Sequence, residues 1–510
     1  MKTADKKTSI LFFFIVLIFV LVTNVFWACS PSQNETQKQS QNNETADHDE
    51  ESAGQPSQKL YEANYLPNVA YGGYEFRIVT PRNGSYDNLI SLESDAEQES
   101  GETLPDAIYK RNRIIEERYD IKFNQITLED YDACLQRFTR STKSDSDDFD
   151  LCMLLPRYAW AQSLEGAIVK TADLPYLDIS QPWYIKSVND EMSIGGKLFF
   201  AYSNECLNLL ENTSCILFNK KLVENLALEN LYNLVKEGKW TIDKFFALAR
   251  AGTADLDGDG LMTENDQYGI LSYPSEFLPN FLSSSGVRTV GKDENDLHIF
   301  VGQNEKLYDI MGKVCDNLYS GQKIYFDGYF DQSSAFGSDL VAISVNQFAA
   351  GHGLFISNCL RAVPALRAME TDFGILPFPK YDEAQAQYYS RTGRGWINSV
   401  PVTAPDLSRT SVVMEALAVE SKNLTIPAYY EVALRTKFLR DDESEEMLLI
   451  IENHRFVDVG DNIYGDIVIG DMLNGIIQNK NVDFVSAIEK NIGKIEEAIR
   501  KSNEAALALD

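Results

Sequence analysis

The most specific chemical pattern in the sequence is the acidic stretch AGTADLDGDGLMTENDQYGI, which covers residues 251–270. Its oxygen-bearing groups have the spacing with which an EF-hand-type loop surrounds Ca²⁺, and Gly260 would permit the tight turn. The shorter Asp266 stands where such loops usually carry a bidentate Glu, so weaker binding is expected. An acidic turn without an ion has the same composition, and a lone loop is expected to pin local structure rather than to act as a sensor. The predicted ligands are Asp255, Asp257, Asp259, the Leu261 carbonyl, Thr263 and Asp266.

Aromatic residues in polar surroundings suggest a second kind of chemistry. Trp160, Trp183 and Trp396 lie in the polar or Gly/Pro-flanked segments PRYAWAQ, SQPWYIK and TGRGWINS. Aromatic faces beside amides, guanidinium groups and carboxylates suit a neutral polyhydroxylated ligand, whose C–H faces stack while its hydroxyls form hydrogen bonds. Each of these tryptophans could equally be a packing residue, and Trp240, at a helix start in GKWTIDKFF, is interpreted as structural.

The sequence gives little support for catalysis. It contains only four histidines, at positions 48, 298, 352 and 454, and none lies near a Ser or Cys nucleophile motif. The GxSxG, HExxH, Walker A and GxGxxG patterns are absent. Acidic residues are so numerous that no particular carboxylate pair of the glycosidase type can be singled out.

The elements that must position these residues begin with an alternation of strands and helices. Strand, helix, strand, helix, strand at this spacing predicts a parallel sheet with crossover helices. The predicted elements are a strand at 74–80, a helix after Leu104, a strand at 121–127, an amphipathic helix at 131–140 and a buried strand within 149–156.

The second half of the chain contains both strand-like and helical patterns, and its last hundred or so residues are largely helical. The β-type runs are GGKLFFAYSN, SCILFNKKL and DLVAISVNQF, the last at 339–348. The predicted helices cover 222–236, 241–251 with Thr241 as N-cap, 444–453 and 487–507.

The N-terminal region has the order of a secretory leader. Lysines precede an apolar run from Ile10 that ends at Ala28-Cys29, and Cys29 resembles the lipidated cysteine of bacterial lipoproteins. An uncleaved transmembrane anchor is the alternative, since the run approaches the length that spans a bilayer. Residues 30–58 are polar and predict a flexible linker. Either interpretation places the remaining chain outside the cytoplasmic membrane and tethered to it.

Composition excludes some partners. Lys plus Arg number 46 and Asp plus Glu number 76, which gives a formal charge of −30 that repels nucleic acid and anionic lipid head groups.

No Cys/His spacing typical of zinc occurs. Cys206 and Cys215 could pair or remain free buried thiols. The length beyond the linker suits one two-lobed unit or two to three smaller domains.

Several separated stretches from about Tyr74 onward together carry a family resemblance. They are LPDAIYKRNRIIEERYDIKF, DISQPWY, LFNKKLVEN with EGKWTIDKFFALA, DLDGDGLMTENDQYGI, FGILPFPKYDEAQ, GWINSVPVTAPD and LRTKFLRDDESEEMLLIIENHRFVDVG. In this order they resemble the extracellular solute-binding proteins of ABC importers, family 1 (sugar-binding), in the lipoprotein form of a clostridial-type Gram-positive subset. In DISQPWY, Tyr184 replaces the second of two consecutive tryptophans that many members have.

The resemblance implies an α/β fold of the type II periplasmic-binding-protein kind. Each of two lobes would hold a mixed, mostly parallel sheet flanked by helices, and crossover hinge segments would join them. The expected first lobe covers 59–180 and about 340–395, and the expected second lobe covers about 181–339 and 396–510. A monomer would capture an oligosaccharide without turnover and pass it to permease subunits, with the lipid anchor holding it at the extracellular face of the membrane.

Within that picture, aromatic faces and polar groups from both lobes would contact the sugar. Arg157 and Arg394 could instead be surface charges, and Glu205 could cap a turn. A surface-anchored glycoside hydrolase, a Ca²⁺-stabilised adhesion module and a binding protein for a peptide, polyamine or metal chelate remain alternatives. The expected stacking residues are Trp160, Trp183, Tyr184 and Trp396, and the expected polar partners are Arg157, Glu205 and Arg394.

Overall fold

A computed structural model describes the chain from residue 60 onward, with gaps. The predicted leader, Cys29, the linker and Arg394 lie outside the described residues. Among the helices that are described, none combines the length and apolar character needed to cross a membrane. The described residues are 60–82, 99, 101–272, 274–319, 321–327, 340–366, 369–393, 395–435, 441–478 and 483–509.

The strands of this part of the chain form two main sheets and two small ones. They are β1 (Tyr74–Pro81), β2 (Ile121–Leu128), β3 (Leu151–Leu154), β4 (Ser214–Asn219), β5 (Tyr268–Ser272), β6 (Val290–Lys292), β7 (His298–Phe300), β8 (Tyr325–Asp327), β9 (Gly353–Cys359), β10 (Phe373–Leu376), β11 (Ser390–Arg391), β12 (Ile397–Ser399) and β13 (Arg455–Phe456).

Helices cover both main sheets. They are α1 (Thr103–Tyr119), α2 (Tyr131–Lys143), α3 (Pro156–Leu164), α4 (Lys186–Glu191), α5 (Leu207–Glu211), α6 (Lys220–Asn225), α7 (Leu231–Lys236), α8 (Ile242–Ala251), α9 (Pro274–Ser284), α10 (Glu305–Tyr319), α11 (Leu340–Ala349), α12 (Ala362–Ala365), α13 (Leu407–Glu420), α14 (Ile426–Arg435), α15 (Asp442–Asn453), α16 (Val459–Asn462), α17 (Gly475–Gln478) and α18 (Phe484–Ala508), with π-helical turns at Ser421–Thr425 and Asp466–Asn474 and a 3₁₀ turn at Thr171–Asp173.

The first lobe is built on a sheet with the strand order β12-β3-β1-β2. Its β1 pairs in parallel with both β2 and β3, as the alternation of strands and helices predicted, whereas β12 adds an antiparallel edge. The apolar face of α1 includes Ile108 and Ile115, and the helix ends where Asp120 adopts a left-handed φ of 48°. One core contains Phe76 of β1, Ile115 and Val412 of α13, so α1 and α13 cover the same face of this sheet.

The second lobe is built on a sheet with the strand order β10-β4-β9-β5-β8. All seven residues of β9 are buried, and β9 runs parallel to β5 and antiparallel to β4. Helix α8 begins where the Thr241 side chain accepts a hydrogen bond from the Lys244 amide, as predicted. Trp240 is fully buried and donates from Nε1 to the Pro377 carbonyl at 2.9 Å, which agrees with its structural interpretation.

Two of the segments in which the chain crosses between the lobes lie side by side. One crossing runs through α5 into β4, and the other runs from β11 to β12. Thr213 and Thr392 form an antiparallel bridge between them, with their hydroxyl oxygens 3.2 Å apart and both residues buried. Because the two segments are paired, a motion of the lobes is expected to bend them together.

Three predicted elements differ from the structure. Residues 340–348 of the run predicted as a strand at 339–348 form part of helix α11. The prediction was wrong because a short apolar run does not distinguish a strand from a buried helix. The run 195–204 makes only isolated bridges, and the single helix expected at 222–236 is two helices. Ala227, with φ 49°, follows α6, and the Asn230 side chain caps α7.

The predicted lobe boundaries also need correction. Segment 340–395 supplies β9 and β10 to the second sheet and not to the first. Segment 396–420 supplies β12 and α13 to the first lobe, and residues 183–184 pack in the core of that lobe. Apolar patterning identifies strands and helices but carries no information on which strands pair, so it could not fix these boundaries.

Candidate ligand-binding cleft

The carboxyl ends of parallel strands in both lobes lie next to the crossings. Tyr131 begins α2 shortly after β2 ends, Arg157 follows β3, and Arg361 follows β9. Trp396 precedes β12, whose first residue pairs with the last residue of β3. Ligands of open α/β folds bind at the carboxyl ends of the strands, so this edge is the candidate cleft.

The half-buried groups of the cleft are one tyrosine and two arginines. The Tyr131 ring packs against Trp396 with ring centroids 5.3 Å apart. Burial raises the pKa of Tyr131, and the positive charges of Arg361 and Arg157 oppose that shift. Arg157 of the first lobe lies 3.6 Å from Asp466 of the second, which places it where the lobes face each other.

A row of three polar residues forms the floor of the cleft. Glu205, Asn208 and Glu211 follow one another at intervals of three in the otherwise mostly apolar NECLNLLEN. Glu205 precedes α5, whereas Asn208 and Glu211 lie within it and share one side of the helix. Each is only 1% exposed. Glu205 accepts a 2.6 Å hydrogen bond from the Asn398 amide, while its Oε1, both amide atoms of Asn208 and the Glu211 Oε1 are buried without a partner.

Burial shapes the charge of this polar row. Desolvation raises the pKa of Glu205, and nearby Arg111 opposes that shift. Desolvation also raises the pKa of Glu211 to about 8, opposed by Arg361. Each carboxyl group therefore has an arginine near it, and the floor is not a site of concentrated negative charge.

Two glycines let the second crossing pack closely against its neighbours. A Cβ atom at Gly395 would come within 2.6 Å of the Asn208 Oδ1, and one at Gly393 would come within 2.8 Å of the Asn462 side chain. Glycine is therefore needed at both positions of TGRGW, because a side chain there would clash with its neighbours. Next to Gly395, the Trp396 ring is 3% exposed and its Nε1 is buried without a partner.

The arrangement presents hydrogen-bond donors and acceptors that lack partners. Trp396 Nε1 and Asn208 Nδ2 are donors, whereas the free oxygens of Asn208, Glu205 and Glu211 are acceptors. A buried polar group without a partner costs about 1–3 kcal/mol, so proteins rarely keep several together without a reason. A hydroxyl group both donates and accepts, and it is therefore the simplest ligand group that satisfies such a mixed set.

The structure distributes the predicted ligand residues unevenly. Arg157, Glu205 and Trp396 lie at the candidate cleft. Trp160 instead packs inside, stacked on His298 at 5.2 Å and donating to the Ser502 hydroxyl at 3.3 Å. One face of the Trp160 ring is thus covered by His298, so it is not open to a ligand.

Trp183 and Tyr184 also pack away from the cleft surface. Both donate to the fully buried Glu415 of α13, the Trp183 Nε1 at 2.8 Å and the Tyr184 hydroxyl at 2.5 Å. Tyr65 donates to the same carboxylate. In this structure these two aromatic residues act as core residues of the first lobe, because a well-positioned carboxylate satisfies their polar atoms.

Sequence reasoning missed four residues of the cleft. Asn208 and Glu211 had a usable signal, since polar residues recur at every third position of an apolar run. Tyr131 and Arg361 had none, because only the sheet topology shows that the residues following β2 and β9 reach the same cleft.

The acidic loop lies at the amino end of β5, away from the cleft edge. One carboxylate oxygen each of Asp255, Asp257 and Asp259 lies within 4.8 Å of the others. Asp255 accepts hydrogen bonds from the Gly258 and Gly260 amides, both at 2.7 Å. Asp266 does not join this group of three, since its oxygens accept from the Leu256 and Thr263 amides and the Thr263 hydroxyl.

Comparison with known proteins reveals similarity in structure and not in sequence. No family model matches the chain, and no curated protein matches it. A sugar transporter from Rhizobium etli in an open conformation superposes with a TM-score of 0.56 at 14% identity, covering 86% of this chain and 100% of that one. Maltose-bound MalE3 from T. maritima gives 0.52 at 13% identity, covering 83% and 100%.

A third similar structure is an ABC substrate-binding protein from Listeria monocytogenes in complex with cycloalternan. Its TM-score is 0.54 at 13% identity, and the match covers 84% of this chain and 99% of that one. Identities this low establish the fold alone. The chain has the two-lobed fold of ABC substrate-binding proteins.

Proposed function

We propose that this protein captures a carbohydrate, most simply an oligosaccharide, in the cleft between its lobes and delivers it unaltered to the permease of an ABC importer. The observation that carries the proposal is the set of buried, unpartnered donors and acceptors beside Trp396 at the carboxyl ends of the strands. The named ligands of two similar structures, maltose and cycloalternan, are of the same chemical class.

Capture would work through differential contacts in two arrangements of the lobes. In an open arrangement, water can satisfy the polar row, and sugar can enter. In a closed arrangement, water is excluded, and the sugar hydroxyls replace it as partners. Closure is then favoured only when ligand is present, because ligand removes the desolvation cost of the empty closed cleft.

The proposal is tested by a thermal-shift screen of the full-length chain in mild detergent against maltotetraose, cellotetraose, xylotetraose and mannotetraose. A ligand at a hundred-fold excess over its dissociation constant adds about 2.7 kcal/mol to stability. A sugar-specific rise in melting temperature, with the sugar recovered intact, is expected. No shift with any sugar would argue against carbohydrate capture and favour a non-sugar cargo.

A second candidate function is a surface-anchored glycoside hydrolase, because Glu205 and Glu211 are buried carboxyl groups with raised pKa values. Such enzymes need one acid and a second carboxylate facing the same bond. Overnight incubation with the binding sugar, followed by chromatography, distinguishes the two. Hydrolysis lost in Glu205→Gln or Glu211→Gln would favour the enzyme.

We also propose that Cys29 carries a lipid anchor that holds the protein at the extracellular face of the membrane, as in lipoproteins of the Gram-positive, clostridial-type subset. The support is the basic and apolar leader that ends at Ala28-Cys29. Expression in a bacterium fed with labelled palmitate is expected to label the wild-type chain. Labelling that persists in Cys29→Ser would contradict lipidation at this residue.

For the acidic loop, we propose a structural Ca²⁺ ion. The support is the convergence of three carboxylates from alternating residues, which suits a hard cation that prefers oxygen ligands. The hydrogen bonds to Asp266 suggest that the ion would rely mainly on the first three aspartates. Added Ca²⁺ is expected to raise the melting temperature of the wild-type chain but not that of Asp257→Asn. An equal response of both proteins would contradict the proposal.

A further inference from the structure

Asn208 has an amide group whose two polar atoms are both buried and both unpartnered. The residue is 1% exposed, so bulk solvent does not reach its amide group. Glu205 and Glu211 each lack a partner at only one carboxylate oxygen. Within the polar row, Asn208 is therefore the residue with the largest unmet hydrogen-bonding capacity.

The position of Asn208 is held by its surroundings. It lies in α5 between the buried Leu207 and Leu209, and its Oδ1 lies against Gly395, where a Cβ atom would approach within 2.6 Å. Its backbone carbonyl accepts from the Asn212 amide at 2.9 Å. The side chain is thus fixed between the two crossings, next to the segment that presents Trp396.

A contrasting residue shows how a buried asparagine is normally accommodated here. Asn189 of α4 is also buried, but its Nδ2 donates to the Tyr202 carbonyl at 3.1 Å, and its Oδ1 accepts from the Tyr202 amide at 2.7 Å. Its amide closes a pair of bonds with one residue of the protein itself. Asn208 presents the same donor and acceptor pair with no such residue opposite.

We propose that Asn208 is the specificity-determining residue of the cleft and that its amide binds two adjacent hydroxyl groups of the ligand, one donating to Oδ1 and one accepting from Nδ2. This inference rests on the proposed carbohydrate-binding function and names the feature that is recognised, a vicinal diol. An amide matches that pair because its donor and acceptor lie side by side in one plane. Closure on a diol pairs both atoms, whereas closure on a ligand with one hydroxyl leaves one unpaired.

The test measures binding affinity by isothermal titration calorimetry. It uses the full-length chain in mild detergent and whichever of the four tetrasaccharides of the screen binds most tightly. Asn208→Ala is expected to bind it roughly ten- to a hundred-fold more weakly, the loss that follows from removing two ligand hydrogen bonds. Asn208→Leu should lose affinity similarly, yet its melting temperature without ligand should equal or exceed that of the wild type. Asn189→Ala, the matched control, should melt lower but bind within about twofold of the wild type.

Monodeoxy versions of the same sugar test the diol itself. For the wild type, removal of one hydroxyl of the contacted pair should weaken binding about ten-fold, whereas Asn208→Ala should bind the two sugars within about twofold. Unchanged affinity in Asn208→Ala, or an equal deoxy penalty in both proteins, overturns the inference, as expected if Asn208 merely holds a buried water. Failure of the wild type to bind any of the sugars overturns the proposed function and this inference with it.

Discussion

Two buried clusters in this protein contain similar side chains. The polar atoms of one cluster are hydrogen-bonded, whereas several of those in the other have no partner. In the Glu415 cluster of the first lobe, Tyr65, Trp183 and Tyr184 all donate to one carboxylate. At the cleft floor, Trp396 is as deeply buried as Trp183, at 3% and 2% exposure, but its indole N–H has no partner. The comparison indicates that hydrogen-bond satisfaction, and not burial, separates a structural tryptophan from a candidate ligand residue.

This difference has a physical basis. A fully satisfied polar network in a core adds rigidity and specifies one arrangement of the chain. A half-satisfied network costs stability, so its persistence is most readily explained by a partner that arrives from outside. The Glu415 cluster should therefore affect stability more than binding, and the cleft floor should affect binding more than stability.

The largest effect on stability is expected at the centre of the satisfied cluster. Glu415→Ala removes the acceptor of three donors, two of them on buried residues, and should lower the free energy of unfolding by about 3–5 kcal/mol. Urea unfolding of the wild type and the variant measures this difference in the free energy of unfolding. Sugar affinity should remain within about twofold of the wild type. A loss below about 1 kcal/mol would mean that the cluster is not a stabilising network.

A smaller effect is expected where the cleft floor is tightly packed. Gly395→Ala places a Cβ atom against Asn208 and should cost about 1–3 kcal/mol while weakening sugar binding. Gly465→Ala is a suitable control, since an added Cβ there meets no atom within 4 Å. Equal melting temperatures and affinities for both variants would contradict the close packing of the second crossing on the polar row.

The two tryptophans provide the most direct form of the comparison. Trp183→Phe loses the 2.8 Å bond to Glu415, and Trp396→Phe loses no bond within the protein. We expect Trp183→Phe to be less stable than Trp396→Phe by about 1–2 kcal/mol in urea unfolding. Only Trp396→Phe should weaken sugar binding. The proposed distinction between a structural tryptophan and a ligand residue would be wrong if Trp396→Phe were the less stable variant. It would also be wrong if Trp183→Phe bound sugar more weakly than Trp396→Phe.

The smallest effect expected is a change in pH dependence. Burial raises the pKa of Glu211 to about 8, above its unfolded value, so the folded chain keeps a proton that the unfolded chain releases. This contribution to stability is fully present below the unfolded pKa and falls as the pH rises to about 8. Burial raises the pKa of Asp458 only to about 6, so its own contribution changes mostly below pH 6.

Glu211→Gln should remove part of the fall in stability between pH 6.5 and 8. Urea unfolding of the wild type and the variant at both pH values measures the difference. An identical pH dependence in the two proteins would show that Glu211 does not hold its proton in the folded state.

Much of the local structure could be predicted from apolar patterning alone. Periodic apolar residues located α1, α2, β1 and β2, since local patterning depends on which side of an element is buried. The spacing of the acidic loop also predicted a tight turn at Gly260, and this residue has a left-handed φ of 84°. The parallel character of the first sheet followed from the same local alternation.

The pairing of strands and the contacts between distant polar groups were visible only in the tertiary structure. It placed β9 and β10 in the second lobe, contrary to the boundaries expected from the sequence, because pairing joins residues far apart in the chain. It also separated Trp183 from Trp396, whose sequence surroundings look alike. The partner of one is Glu415, more than two hundred residues away, and no local pattern can report whether such a partner is present.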